Sequence, residues 1–144
     1  MNNKDRLIKD LAEEFQKEFK KLSIQVLPNR DVVYDNFLIK KSDGNWMLID
    51  ITSKDIIASF FLKSCALLAA NYYKDYLFNE YRKIKQLDRD YKRNYLDSII
   101  HRHNLSVTKD FDTKVILLNQ IECEEANSIY FKKQISTLFK RSFV

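Results

Sequence analysis

Two aspartates beside a predicted β-hairpin are the residues of this chain best placed for metal chemistry. Asp43-Gly44 is a strong type I′ turn signal, and it fixes the register of the two flanking strands. In that register Asp35 opposes Thr52, and Asp35 and Asp50 are diagonal neighbours on one sheet face. Two carboxylates so placed can bind a divalent cation. The alternative is that both are polar residues at strand ends, bonded to Thr52 or to a backbone amide.

The element order around these aspartates, a helix, three strands and a helix, resembles the core of the PD-(D/E)XK nucleases. The resemblance implies that Asp35 is the first acidic ligand and that Asp50-Ile51-Thr52 stands at the (D/E)xK tripeptide. Glu14 or Glu18 would supply a further acid. Thr52 replaces the lysine that orients or activates the attacking water, so this interpretation predicts a degenerate nuclease.

A basic, tyrosine-rich helix predicted over 72–103 is the second candidate site. Lysine and arginine can contact phosphates there, while tyrosine rings stack on bases. Acidic residues are mixed in and lower the local field, so a solvated helix with tyrosines in its packing seam is the competing interpretation. The candidate nucleic-acid-binding residues are Tyr72, Tyr73, Lys74, Arg82, Lys83, Lys85, Arg89, Lys92 and Arg93.

The sequence predicts that these residues are positioned by an α+β fold. It forms one domain, residues 1–144, or alternatively two parts divided at residue 71. No glycine or proline occurs between Ser53 and Asn104, which favours helix almost throughout. Val115–Leu118 has strand character, but helix is favoured for 112–142. The predicted elements are strands 32–41 and 45–52 with a third at 23–27, helices 4–22 and 54–80, and a C-terminal helical hairpin 72–104/112–142.

The length of the predicted helices and a hairpin that is apolar on both faces together favour self-association. A straight helix of about 50 residues would be roughly 75 Å long, far more than a compact domain of this size can enclose. Both hairpin faces are apolar near the middle, so a helix is expected on one side and another helix or a second subunit on the other. The leading hypothesis is therefore a non-catalytic interaction or assembly protein that forms homo-oligomers.

The composition of the chain limits the functional classes that remain open. The net charge of +5 permits a nucleic-acid partner without requiring one. A single glycine nearly excludes glycine-rich phosphate loops, and no cofactor or small-molecule ligand is indicated. No apolar run is long enough for a membrane span. Cys65 and Cys123 lack metal-site spacing and are expected to be buried, reduced thiols, which predicts a cytoplasmic protein.

The order of a polar helix, a short hairpin, an alanine-rich helix and a charged helical hairpin resembles small uncharacterised proteins of marine tailed phages. The residues that carry the resemblance are Phe37–Lys41, Trp46–Asp50 and Lys63–Ala69. The resemblance favours a helical C-terminal third, and it implies no activity.

Overall fold

A computed structural model describes residues 24–144, and the helix predicted over 4–22 lies outside that range. The described chain has the predicted α+β fold, a five-stranded antiparallel sheet in the order β1-β2-β3-β4-β5 with three helices after it. The elements are β1 (Ile24–Val26), β2 (Val32–Tyr34), β3 (Phe37–Ser42), β4 (Asn45–Asp50), β5 (Ile56–Phe60), α1 (Lys63–Lys74), α2 (Phe78–Val107) and α3 (Phe111–Phe143).

The predicted hairpin is present with the predicted turn. Asp43 and Gly44 both have positive φ, 51° and 79°, as a type I′ turn requires, and Phe37 pairs with Asp50. The single strand predicted over 32–41 is wrong, because the chain reverses at Asp35, whose φ is 52°. Asp35 therefore lies in the β2–β3 turn and does not oppose Thr52. The third strand predicted at 23–27 is confirmed as β1.

The helix predicted over 54–80 is wrong at its start, where β5 forms. Lys54 adopts a φ of 64°, and the amide of Asp50 donates to the carbonyl of Asp55 at 2.9 Å, which closes a tight loop into the sheet. The Thr52 hydroxyl donates to Asn36 and caps no helix. Strand is preferred to helix here because the edge of β4 offers hydrogen-bond partners to the backbone of 56–60, and β-branched Ile56 and Ile57 suit a strand.

Helix α1 is the most buried element of the described chain, as predicted for the alanine-rich segment. All six residues Cys65–Ala70 are buried, and their side chains join the cluster that includes Ile39, Leu48 and Ile84. The helix thus lies between one face of the sheet and the α2–α3 pair. Small alanine side chains allow this close approach on several sides.

The predicted continuous helix breaks between α1 and α2. The amide of Leu77 donates to the carbonyl of Tyr72 at 2.9 Å and the amide of Tyr76 to that of Tyr73 at 3.1 Å, the Schellman pattern. Tyr76 occupies the left-handed position, with φ 60°, where glycine is usual. Helix α1 therefore ends without the glycine that usually follows a helix with this hydrogen-bond pattern.

Helices α2 and α3 form the predicted C-terminal hairpin. Helix α3 includes Val115–Leu118, which confirms helix over strand for that segment. Asp110 caps it by accepting from the amide and the hydroxyl of Thr113, and these hydrogen bonds lower the pKa of Asp110. No helix among residues 24–144 is both long and apolar enough to cross a membrane.

Candidate interaction surfaces

The end of the helical hairpin projects beyond the core. Helices of 30 and 33 residues measure roughly 45 and 50 Å. In the described chain no residue between 96 and 118 belongs to the core cluster, although Ser98 and Leu117 are buried between the two helices. We call residues 96–118 the distal end. It is a two-helix unit supported by α2–α3 contacts.

Polar contacts between residues 94–102 of α2 and residues 124–127 of α3 hold the two helices in register. His101 Nδ1 lies 2.9 Å from Glu124 Oε2, Arg102 forms an ion pair with Glu125, and the Asn127 amide contacts Asn94 at 3.3 Å. His101 and Glu124 are partly buried, so this pair is shielded from solvent more than a surface ion pair is. These contacts therefore fix how α2 and α3 lie against each other next to the distal end.

The distal end exposes an unusual number of large apolar side chains. Their exposed fractions run from 37% for Leu96 to 75% for Phe111. Leu96, Ile100 and Val107 share one side of α2, and Phe111, Val115 and Leu118 share one side of α3. Apolar surface on the order of several hundred Å² marks interaction sites on soluble proteins when it is contiguous. The set comprises Leu96, Ile99, Ile100, Val107, Phe111, Val115, Ile116 and Leu118.

One face of α2 changes from basic to apolar along its length. Residues three or four apart lie on the same side of a helix, and the exposed sequence on this side begins with basic residues close to the core. The basic stripe consists of Arg82, Lys85, Arg89 and Arg93. The same spacing continues through Leu96, Ile100, His103 and Val107 to the distal end. Lys83 is adjacent to Arg82 in sequence and lies on another side of the helix.

The remaining candidate nucleic-acid residues are dispersed. Tyr72, Tyr73 and Lys74 belong to α1, and all three are partly buried. The ring of Tyr73 packs edge-on against Phe37 and Tyr81, with centroids 5.9 and 5.5 Å apart. Lys74 lies 5.2 Å above the Tyr34 ring, and its contact with the Tyr34 hydroxyl raises the pKa of Lys74. Lys92 is partly buried on α2, near Asp88.

Asp88, which the sequence places among the basic residues, is a buried helix cap. It is 4% exposed, and its carboxylate accepts from the amides of Phe61 at 2.8 Å and Leu62 at 2.9 Å. These amides stand at the start of α1, where Leu62 supplies no side-chain cap. Sequence reasoning missed this role. The available signal was an aspartate in the apolar seam, four residues after Ile84 and three before Tyr91.

Two buried ionisable groups meet at this cap. Burial raises the pKa of Asp88, while the hydrogen bonds from the two backbone amides oppose that effect. Burial also raises the pKa of the Cys65 thiol, and the neighbouring Asp88 charge adds to the shift. Cys65 therefore remains a protonated thiol of low reactivity. Cys123 is exposed on α3, so the expectation that both cysteines are buried is wrong for Cys123.

We expect Asp88 to make stability fall as pH rises. Its folded pKa lies above the ordinary 3.8, so the folded protein holds this proton more tightly than the unfolded chain does. The associated stabilisation is complete below pH 3.8 and is lost as pH rises through the folded pKa. Asp88→Asn removes the titration, so its deficit in unfolding free energy should shrink over that window in urea titrations. A deficit that is constant or widens with pH would contradict the assignment.

Asp35 and Asp50 lie at the ends of strands and not in a shared site. Asp35 is exposed in the β2–β3 turn, and Asp50 ends β4. Asp50 Oδ1 accepts from the Asn36 side chain at 3.1 Å and from the Ser53 amide at 3.0 Å, which organises the β4–β5 loop. Thr52 lies in that loop, beyond the strand that the nuclease comparison assumed. Residues 24–144 contain no group of three or more histidine, cysteine, aspartate or glutamate side chains arranged to hold a metal ion.

Comparison of this chain with protein-family models, with curated proteins and with solved structures finds no match. The resemblance to tailed-phage proteins therefore stays a prediction.

Proposed function

We propose that this protein is a non-catalytic assembly protein that associates with copies of itself through the distal end of its helical hairpin. The observation that carries the proposal is the cluster of eight exposed apolar side chains on a segment that lies outside the core. Burying such a surface is favourable at about 25 cal/mol per Å², so a few hundred Å² supply several kcal/mol towards association.

The charge of the distal end favours a second copy as the partner. The whole chain carries a net charge of +5, yet residues 96–118 contain three acidic and three basic residues. Two copies can therefore bring these segments together without net repulsion, whereas a strongly charged partner gains little there. Two helical hairpins that pack through their ends form a four-helix arrangement, a common way to bury apolar helix faces.

Light scattering coupled to size exclusion tests this proposal with Ile100→Glu combined with Val107→Glu. Both residues are more than half exposed, 55% and 62%, so the fold should tolerate the charges. We expect the unmodified chain to have at least twice its 17.3 kDa mass, and the double variant to associate at least tenfold more weakly. A tenfold weaker association corresponds to about 1.4 kcal/mol of binding free energy. Burial of each replaced apolar side chain contributes more than this to association.

The matched control is Ile129→Glu, which places one acid on a side chain that is 58% exposed but outside the distal end. It should leave the association unchanged. Circular dichroism of each variant reports whether the helices are retained. An unmodified chain that stays at the mass of one copy at all accessible concentrations would exclude self-association.

Nucleic-acid binding is the second candidate, supported by the basic stripe on α2. The sequence shows acids among these basic residues, but Asp88 is buried and bonded to two amides, and Asp90 is engaged by Gln86 at 2.9 Å. The stripe itself contains no acidic residue, although Arg93, whose side chain is 71% exposed, forms an ion pair with Asp90 at 3.5 Å. Arg82, Arg89 and Arg93 are exposed, while Lys85 is partly buried. Exposed cations along one side of a helix suit a phosphate backbone, whose contacts require charge rather than a shaped pocket.

Fluorescence anisotropy with a labelled single-stranded oligonucleotide tests the stripe. If it binds phosphates, changing Arg82, Arg89 and Arg93 to glutamine should weaken binding and lower the slope of log affinity against log salt by about 2. The control removes three charges elsewhere, by changing Lys83, Lys109 and Lys133 to glutamine, and should have the smaller effect. Equal losses in the two variants would indicate non-specific attraction, and no binding at low salt would dismiss this function.

A further inference from the structure

The face of the sheet that turns away from α1 carries a row of apolar side chains. Residues directly opposite each other in paired strands have their side chains on the same face, and here the pairing runs across four strands. Ile56 is 61% exposed, and the other members are partly buried. None of them belongs to the core cluster of residues 24–144 or packs against it. The row consists of Val33, Leu38, Ile49 and Ile56, with Met47 next to it on the same face.

This outer face has the composition of a surface that packs against another layer. A sheet face that remains in solvent usually carries polar side chains at alternate positions. Here the charged residue Lys40 opposes Met47, towards the Asp43-Gly44 turn, and the paired positions farther from that turn, Leu38 and Ile49, are apolar. Burying them against apolar side chains is favourable, so the face is suited to a covering element.

The chain enters the sheet beside this row. Ile24, the first residue of β1, pairs with Tyr34, and the next residue, Gln25, pairs with Val33 at the end of the apolar row. The segment before β1 is the one for which the sequence predicts a helix over 4–22. Only Ser23 connects that segment to β1, and so short a connection keeps the segment next to the sheet.

The predicted helix matches the row in length and in chemistry. Its apolar residues recur every three or four positions and so lie on one side of a helix. From the first to the last of them the helix measures about 21 Å, and five strands at about 4.8 Å spacing measure about 19 Å across. Four acidic residues and one basic residue between positions 10 and 18 suit the positive charge of Lys40. The apolar residues are Ile8, Leu11, Phe15, Phe19 and Leu22.

We propose that residues 4–22 form a helix that packs across the outer face of the sheet, so that α1 covers one face and the N-terminal segment covers the other. The chain's own segment is the occupant because β1 holds it next to the row, at the high effective concentration of an intramolecular contact. A second copy would have to displace it.

The inference goes beyond the proposed function and does not depend on it. With the outer face closed from within the chain, copies associate through the distal end alone. A two-fold contact through one surface joins one pair of copies, so the assembly stops at a dimer.

Cross-linking within one chain tests the packing. Glu18→Cys, beside the apolar stripe, is combined with Lys40→Cys on the outer face, and exposed Cys123 is changed to serine, while Cys65 is buried. A short bis-maleimide should join the two introduced cysteines within one chain, which a denaturing gel shows as a faster band at the mass of one copy. The matched control uses Lys41→Cys in place of Lys40→Cys. Lys41 is also exposed, but it lies on the opposite face, with its Nζ 5.8 Å from the centre of the Trp46 ring.

We expect the Lys40→Cys pair to give at least five times more intrachain product than the Lys41→Cys pair. Adding Phe15→Glu, which places a charge in the apolar stripe, should lower that yield at least fivefold. Lys17→Glu, on the other side of the predicted helix, should leave it unchanged. Circular dichroism reports whether each variant retains its helices.

Three results would overturn the proposal. Equal yields from the two cysteine pairs would mean that the segment is not held against the outer face. A yield unaffected by Phe15→Glu would mean that the apolar stripe makes no contact there. A product of twice the mass of one copy would mean that a second copy supplies the segment. The intrachain product forms in a single copy, so these results are independent of association through the distal end.

Discussion

Asp88→Ala should destabilise the protein by roughly 3 kcal/mol, a large share of the 5–15 kcal/mol that holds a typical domain folded. The substitution removes the acceptor of the Phe61 and Leu62 amides, which are partly buried at the start of α1. An unpaired buried donor costs about 1–3 kcal/mol, and two are involved. Urea denaturation followed by circular dichroism measures the change. The loss should occur at every pH, unlike the pH-dependent component that Asp88→Asn isolates.

The control for this prediction is Asp97→Ala, nine residues later on the same helix. Asp97 is partly exposed, so its removal should change the unfolding free energy by no more than about 0.5 kcal/mol. Losses of the same size in both variants would mean that Asp88 acts through helix charge in general. A small loss for both would mean that water replaces the carboxylate at the two amides. Either result contradicts the capping role.

Leu68→Ala should cost about 2–5 kcal/mol, because it leaves a cavity where no solvent reaches. Leu68 is fully buried on α1, among alanines that are equally buried. The side chains of these alanines are too short to fill the space. Helix α1 is also held between the sheet and the helical hairpin, so it cannot easily move into the cavity. We therefore expect a cost in the upper half of that range. Urea denaturation at a fixed protein concentration is the measurement, since association also stabilises the folded state.

Leu77→Ala is the matched control, because the same side-chain change is made at a position that is 44% exposed. Its cost should remain below about 1 kcal/mol. A comparable loss at both positions would show that α1 is not the centre of the core. A Leu68→Ala cost below 1 kcal/mol would show that the surrounding layers close around the gap.

The hairpin of β3 and β4 could be predicted from sequence because its signal is local. Asp43-Gly44 is suited to positive φ at two successive residues, and that requirement fixes the register of every pair behind the turn. The C-terminal helical hairpin was predictable for a similar reason, since Asp110 caps α3 with bonds to Thr113 only three residues away. Each feature is decided by a few neighbouring residues.

The candidate surfaces were predictable only in part. Spacing along α2 places Arg82, Lys85, Arg89 and Arg93 on one side, and that much is readable from the sequence. The acids among them could not be assessed, because whether Asp88 faces solvent or the start of α1 depends on a partner 27 residues away. The distal end could not be identified either, since the same apolar spacing describes a buried helix and an unpartnered one.

By itself the sequence determined the α+β class, the type I′ turn, the burial of the alanine-rich helix and the extent of α3. All of these follow from short-range geometry and from the periodicity of apolar residues. Only the tertiary structure decided that 56–60 is a strand, that α1 ends at Lys74 with Tyr76 rather than a glycine in the left-handed position, and that Asp88 bonds the amides at the start of α1. The strand and the Asp88 contact depend on hydrogen bonds between separate segments, β4 with β5 and α2 with the start of α1, and such contacts can outweigh local propensities of a few tenths of a kcal/mol per residue. The end of α1 is made by local hydrogen bonds, but Tyr76 is a residue whose type does not signal a left-handed position.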